Sequence, residues 1–520
     1  MSKVQSQNRK RTLDFGPWTL DLSRALEAFV FYSLLAVLAL AAIPYGTVQP
    51  WWKSVFQCCV FALASLYLVA QLLKPETPRL RSLVSCPLLW PVLALIVFAL
   101  LQTLPAPRFL LAATDQRTTV SADVFQTRQF VVQLLALALV GWLLTALVNT
   151  RRRLLCLVDT VVGVGVVSAL FGLWRQAAQQ GPGFVLPSLR PGFGYGQFIN
   201  ANHFAFLMEL ALGLALGIVV CRGVKTRRRA VYLIAALPMW LALVLSYSRG
   251  GILSLLCQVL FLGLLFSVGR DSSGSRVRDT DRVADRLLRA SRTVAARGVL
   301  IAALLAGAVT TVVLVGGDPL AGRVDSLAVE LDRNTADVYT LRPAIWRATW
   351  AMIKDHPIAG VGFGGYWIAI PKYHAASGET TPQEAHNDYL ELLASGGVIG
   401  FALGVWFVVA LFKTAREKLR GKEEDKRGRG EKGKGERVRD EEETDVDAGF
   451  AWSNPSWSKA FARAATIGAL VGILTVAVHS LVDFGLHITI NAAVFNVLVA
   501  IIAMKKQTAN SEQQTAISKK

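Results

Sequence analysis

Apolar runs of about 17–25 residues, the length that crosses a bilayer, recur along this chain. They fall at 25–43, 54–73, 86–104, 129–148, 154–174, 203–221, 230–247, 250–268, 298–316, 389–412, 461–482 and 488–504. A soluble core cannot absorb so many uninterrupted stretches, and a mean hydropathy of +0.43 with 53% hydrophobic residues agrees. The pattern predicts an all-α, polytopic membrane protein with about twelve transmembrane helices. The first run is longer than a signal-peptide core and lacks a small-residue cleavage site after it, so it reads as a retained span. Six cysteines, Cys58, Cys59, Cys86, Cys156, Cys221 and Cys257, lie in or beside apolar runs, where neither a disulfide framework nor paired zinc-ligand spacing is suggested.

A net charge of +19 would point a soluble protein toward nucleic acid. In a membrane protein, Lys and Arg must first be sorted by side. The short loops NTRRR at 149–153 and CRGVKTRRR at 221–229 are the strongest topological markers, and both place the termini in the cytoplasm. The segments 269–292 and 416–447 also fall inside; they mix Lys, Arg, Glu and Gly with hardly an apolar residue, so they read as solvated linkers rather than nucleic-acid sites. Outside lie 105–127, 177–200 and a long polar loop near 317–387. A loop of that length is more often functional than not.

The loop carries a helix signal of its own. Arg342 precedes Pro343, a favoured first helical residue, and Trp346, Thr349, Trp350 and Ile353 follow at helical spacing before Asp355, His356 and Pro357 stop the run. Such an amphipathic helix is expected in the interface, with its tryptophans at headgroup level. His386 sits where the chain re-enters lipid. Asp388 and Glu391 after it have capping-box spacing, but His386 has no such structural explanation and stands as a candidate base near neutral pH. Arg249, in SYSRGG at 246–251, lies at a tight outer turn, where an arginine calls for an anionic partner or a cavity. Arg342 at a helix start can join backbone N–H groups in meeting an anion, whereas Arg347 points to another face. Asn200, Asn202 and His203, at the outer entry of a span, fit helix capping or substrate contact equally. His356, His374, His479 and His487 have no supporting sequence neighbours and read as structural. The Asp-x-Asp pairs of a metal-dependent transferase occur only in the cytoplasmic linkers, so no metal is expected at the outer site.

Taken in order, FINANHFA at 198–205, SYSRGG at 246–251, RPAIWRATWAMIKDHPIAGVGFGGY at 342–366 and AHNDYLELLASGGVIG at 385–400 resemble the O-antigen ligase and polymerase family of bacterial inner-membrane proteins. The resemblance spans roughly 196–405. It implies a membrane glycosyltransferase of the GT-C kind in the cell inner membrane, without a cofactor. Its partners would be the bilayer, a polyprenyl-diphosphate-linked glycan donor, and a glycan, lipid A core or protein acceptor, with no nucleic acid. It further implies His386 as catalytic histidine and Arg249 and Arg342 as diphosphate-binding residues at the periplasmic face; Asn202 and His203 stand beside them as candidate substrate contacts from their position alone.

The expected organisation is an N-terminal set of helices at 1–195, a catalytic core at 196–412 with its loop at 317–387, a charged linker at 413–460, two further spans at 461–505 and a tail at 506–520. A solute transporter, for example of bicarbonate, is the competing class. It would show inverted repeats and ionisable residues at the midplane, whereas here no repeat is visible and only Glu209 stands near mid-membrane, with Asp483 at an outer end.

Overall fold

The computed structural model describes residues 17–73, 86–107, 117–178, 186–189, 194–268, 342–374, 381–420 and 455–504. Within them the chain is helical: α1 (Pro17–Leu40), α2 (Pro50–Leu72), α3 (Leu89–Leu101), α4 (Val124–Leu147), α5 (Arg151–Ala178), α6 (Ala201–Val220), α7 (Thr226–Leu245), α8 (Arg249–Val268), α9 (Arg342–Asp355), α10 (Tyr366–Ala369), α11 (Asp388–Arg420), α12 (Pro455–His479) and α13 (Thr489–Ala503). Eight of these are long and apolar enough to cross a membrane, and α3, α8 and α13 contribute shorter apolar stretches. The protein is a polytopic membrane protein. Eleven of the twelve expected spans coincide with these helices; the twelfth, 298–316, lies outside the described residues, as do the linker at 269–292 and that at 416–447 except for 416–420, which continue α11 as helix. The six cysteines are free.

The bundle is built around α6, whose apolar window is 83% buried against 67% for α12 and 28% for α11. Its closest partner is α12, and the reason lies in four glycines. Gly213 and Gly217 of α6 face Gly472 and Gly468 of α12; a Cβ on Gly217 would stand 2.2 Å from the Gly468 Cα, and one on Gly213 would stand 2.6 Å from that of Gly472. In lipid no hydrophobic effect drives helices together, so close backbone approach across small residues supplies the contact.

At the end of the bundle where α6, α8 and α11 begin and α12 ends, the chain folds into a cap. There α9 turns Ile345, Ala348, Met352 and Ile353 inward onto Val361, Tyr366, Ile370, Ala385 and Ala394. This corrects the expected membrane-facing stripe. Thr349 is buried and bonds the Tyr366 hydroxyl at 2.7 Å, Trp346 donates to the Ala385 carbonyl at 3.0 Å, and Trp350 alone of the four stays largely exposed, at 49%. The apolar face serves the protein because α11 offers it a broken surface. At Gly397 (φ 59°, ψ −163°) the helix loses its regular geometry, and the 357–362 segment bonds to the freed backbone through Val361 N–H to Ala394 O, Gly362 N–H to Ser395 O and Val398 N–H to Pro357 O. Only glycine adopts that conformation without strain, so the SGG of the motif fixes where the cap docks.

Candidate functional site

Each part of the site starts from a helix terminus. Asn200 caps α6 by accepting the Asn202 N–H at 2.8 Å, which leaves the Asn202 side chain to reach outward. Ser248 caps α8: its Oγ accepts the Gly251 N–H at 3.0 Å and donates to Asn202 Oδ1 at 2.6 Å. The SYSRGG turn is therefore tied to the start of α6. Arg249 opens α8 half-buried, and its neighbour Gly250 packs on His479, one turn before Asp483. Asn387 caps α11, with its Oδ1 accepting the N–H groups of Tyr389 and Leu390 at 3.0 Å each. The expected Asp388 cap is thus displaced by one residue, because Asp388 instead accepts a 2.6 Å bond from the Ser480 hydroxyl. Glu391 does reach back over the helix start, to the Ala385 N–H at 2.9 Å.

These termini converge on Asp483, which the sequence showed only as a carboxylate at a span end. Its side chain is fully buried. Oδ2 accepts from Arg342 at 3.1 Å and from the Asn202 amide; Oδ1 faces His386 Nδ1 at 3.4 Å and accepts the Phe484 N–H at 2.9 Å. Burial would raise this carboxyl, but the hydrogen bond from His386 and the charge of Arg342 outweigh it and hold Asp483 well below the ordinary carboxylate range. It is a fixed anion. His386 and Arg342 keep 32% and 37% of their side chains exposed, so each has one end on Asp483 and surface left for a ligand. His386 also holds a left-handed backbone, φ 50°, as does Tyr247 at 53° beside the SYSRGG turn. Non-glycine residues in that region carry strain that tends to cluster at functional sites.

Phe484 joins the imidazoles. His203 and His386 each meet its ring edge-on at 4.8 Å, and His487 does so at 5.9 Å. His203 is buried with Nε2 unpartnered among the described residues, while its backbone carbonyl accepts from Asn491. So Asn202, His203, Arg342 and His386 are brought together around Asp483 and Phe484, Arg249 is held next door by its backbone, and Arg347 points away, exposed, with Nε turned back onto the Pro343 carbonyl.

A second cluster lies beyond Phe484. His487 Nδ1 is 3.3 Å from Glu384, and its Nε2 is 3.7 Å from Asp388 and 3.6 Å from Glu391. Burial would lower this imidazole, but the facing carboxylates outweigh it and hold the ring protonated, well above its usual value. Burial would raise Glu384, but His487 and a hydrogen bond with Glu391 bring it down to about 2. The ligand atoms of Glu384, Glu391 and His487 lie within 4.8 Å of one another, close enough to hold a metal ion. His487 thus has partners that its sequence neighbours did not show, in keeping with a structural role. So has His479, whose Nδ1 pairs with Glu209 at 2.7 Å.

Residues 234–405 match the family model described as O-antigen ligase. The matched segment runs from α7 into α11 and includes Arg249, Arg342 and His386, while Asn202, His203 and Asp483 lie outside it. No curated protein matches the chain.

Proposed function

We propose, on the premise of that match to the O-antigen ligase family, that this protein moves a glycan from a polyprenyl diphosphate carrier to an acceptor hydroxyl at the periplasmic face of the inner membrane. The observation that carries the reading is the buried Asp483 carboxylate, which gathers His386, Arg342 and Asn202 on one anion. Accepting from Nδ1–H, Asp483 selects the tautomer whose Nε2 carries a lone pair, so His386 can act as base toward the acceptor. The same contact stabilises the imidazolium once the proton has moved.

The reaction then divides between two kinds of group. The acceptor oxygen attacks the anomeric carbon and loses its proton to His386 Nε2, while the carbon–oxygen bond to the diphosphate breaks on the opposite face and the configuration inverts. The diphosphate leaves as an anion and needs charge more than a proton. Arg342, with most of its five N–H donors not committed to Asp483, and Arg249 at the head of α8 are the groups suited to it. Nothing in this sequence of steps calls for a metal. Glycan transfer rather than solute transport is favoured because the largest gathering of ionisable groups among the described residues, around Asp483 and His487, lies at one end of the bundle, with the Glu209–His479 pair deeper inside.

The test is in vitro transfer from a defined polyprenyl-diphosphate glycan to a panel of acceptors: lipid A core, oligosaccharide and serine- or threonine-bearing peptide. His386→Ala should bind donor nearly as well as wild type while turnover falls about 10²–10⁴-fold, the usual contribution of a general base. A folded His386→Ala protein that transfers at the wild-type rate removes the histidine from the mechanism.

A further inference from the structure

Glu209 and His479 lie deeper in the bundle than the site and touch nothing that reacts. Both side chains are fully buried, and His479 Nδ1 stands 2.7 Å from Glu209 Oε1. Their other polar atoms, Glu209 Oε2 and His479 Nε2, have no hydrogen-bond partner among the described residues. A pair kept only for stability would be better replaced by apolar side chains of the same volume, since burying ionisable groups with unmet valences costs more than their contact returns. An ionisable residue inside a span therefore calls for a role.

Its neighbours indicate which role. The His479 ring lies on the Phe206 ring of α6 at 4.2 Å and 29°. Phe206 is also what Gly485 rests on, where a Cβ would stand 2.1 Å from the ring. The Asp483–Phe484 turn is thus bracketed by two residues seated on one phenyl ring. Asp483 N–H donates to the His479 carbonyl at 3.1 Å, so the imidazole belongs to the last turn of α12 that ends in Asp483. On its far side His479 meets α8: a Cβ on Gly250 would stand 2.3 Å from Nε2. One imidazole therefore touches the three helices that supply Asn202 and His203, Arg249, and Asp483. The glycine seam below sets the spacing of α6 and α12 but, being smooth and apolar, tolerates rotation and slip. A single hydrogen bond across the seam does not.

We propose that Glu209 and His479 are positioning residues for the transfer site: the pair pins the register of α12 against α6 and α8, so that the Asp483 turn presents its carboxylate to His386 and Arg342. The inference rests on the reading of Asp483 as the centre of the glycan-transfer site. Glu209→Gln keeps an acceptor for Nδ1–H, whereas Glu209→Leu removes it, and Gly250→Ala forces the ring away without changing the polarity of the core.

The experiment takes the full chain in nanodiscs and measures hydrogen–deuterium exchange together with donor KM and kcat. Glu209→Leu and Gly250→Ala should raise exchange at 480–487 while 461–472 stays protected, and should lower kcat at least tenfold with a smaller change in KM. Glu209→Gln should restore both readouts to within about threefold, which a loss of packing alone would not do. Because Gly250→Ala retains both side chains and displaces only the ring, it preserves the test should Glu209→Leu fail to fold. Unchanged exchange and unchanged kcat in a folded Glu209→Leu protein overturns the proposal, as does a Gln variant no better than Leu. Raised exchange at 480–487 with unchanged transfer upholds the pinning of the turn and overturns the placement of the transfer site at Asp483.

Discussion

Two carboxylate centres sit on either side of Phe484, and they are built in opposite ways. At Asp483 one anion meets Arg342, Asn202, His386 and a backbone N–H, so donors outnumber acceptors. Around His487 three carboxyl groups meet one imidazole, and Glu384 and Glu391 hydrogen-bond to each other, which requires a proton between them. The first arrangement leaves its cations and imidazole with unspent capacity at the surface. The second uses up its own charges and, through Glu391 and Ala385, closes the loop before His386 onto α11. Carboxylate count alone would rank the second as the active centre. The proposed function rests instead on the balance of donors and acceptors, with chemistry at the first and fastening at the second.

The largest expected effect follows from breaking the first centre. Asp483→Asn keeps the shape but gives one side of the amide donor character, so His386 loses its anionic partner and the Nδ1–H tautomer is no longer enforced. Turnover in a single-turnover assay should fall about 10²–10⁴-fold, the same order as loss of the base itself. An Asp483→Asn protein with near wild-type rate would reduce Asp483 to a structural link.

Next comes Arg342, which links that centre to the donor. Arg342→Ala removes a charge-assisted bond of about 1.5–3 kcal/mol, roughly 10–150-fold, and should show in donor affinity as well as turnover. Lysine restores charge without the planar fork and should rescue only in part. Arg347→Ala, on the exposed face of α9, is the matched control and should change donor binding less than threefold. Equal losses at the two arginines would mean that contact with Asp483 does not select the donor-binding arginine.

How much of this was legible in the sequence depends on whether the determinant is local. Helix positions, the proline start of α9 and the capping role of Asn200 are near-neighbour properties and were readable. His386, Arg342, Arg249, Asn202 and His203 were singled out through the ordered motifs, and the structure places them near one another. Asp483 was seen but not ranked, because its partners are 97, 141 and 281 positions away and no local pattern marks it. The face of α9 was read as lipid-seeking because periodicity reports amphipathicity but not which apolar surface answers it; the break at Gly397 supplied that surface. The pairing of Gly213 and Gly217 with Gly472 and Gly468 formed no part of that reading.

A third test concerns the second centre alone. His487 is raised well above its ordinary 6.5, so its stabilising contribution is complete below that value and is lost as pH rises through the folded-state pKa. Glu384 is depressed from 4.5 to about 2, so its contribution is complete above 4.5 and is lost as pH falls toward 2. The fastening should therefore be fullest between about 4.5 and 6.5. Thermal unfolding of wild type in detergent should decline on both sides of that window, and His487→Gln should flatten the curve while costing transfer less than about tenfold, because among the described residues His487 meets the first centre through the ring of Phe484 and not through Asp483. A loss as large as that of Asp483→Asn would merge the two centres.

The smallest effect expected is that of chelation, and it decides whether the contrast is real. Glu384, Glu391 and His487 have ligand atoms within 4.8 Å of one another, and oxygen and nitrogen ligands at about 2.0–2.2 Å from zinc suit such a cluster. Against this stands the state of the three groups. A protonated imidazole offers no lone pair, one Glu391 oxygen is committed to the Ala385 N–H, and the proton between Glu384 and Glu391 must leave before both can bind an ion. A metal would have to displace two protons from a cluster in which the imidazolium already faces three carboxyl groups. Dialysis against EDTA should accordingly leave both transfer rate and unfolding temperature unchanged, and added Zn²⁺ or Mn²⁺ should raise neither. Loss of transfer on chelation, recovered with one of these ions and abolished by His487→Gln, would make the second centre a metal site serving the reaction, and the division between a working carboxylate and a fastening one would have to be withdrawn.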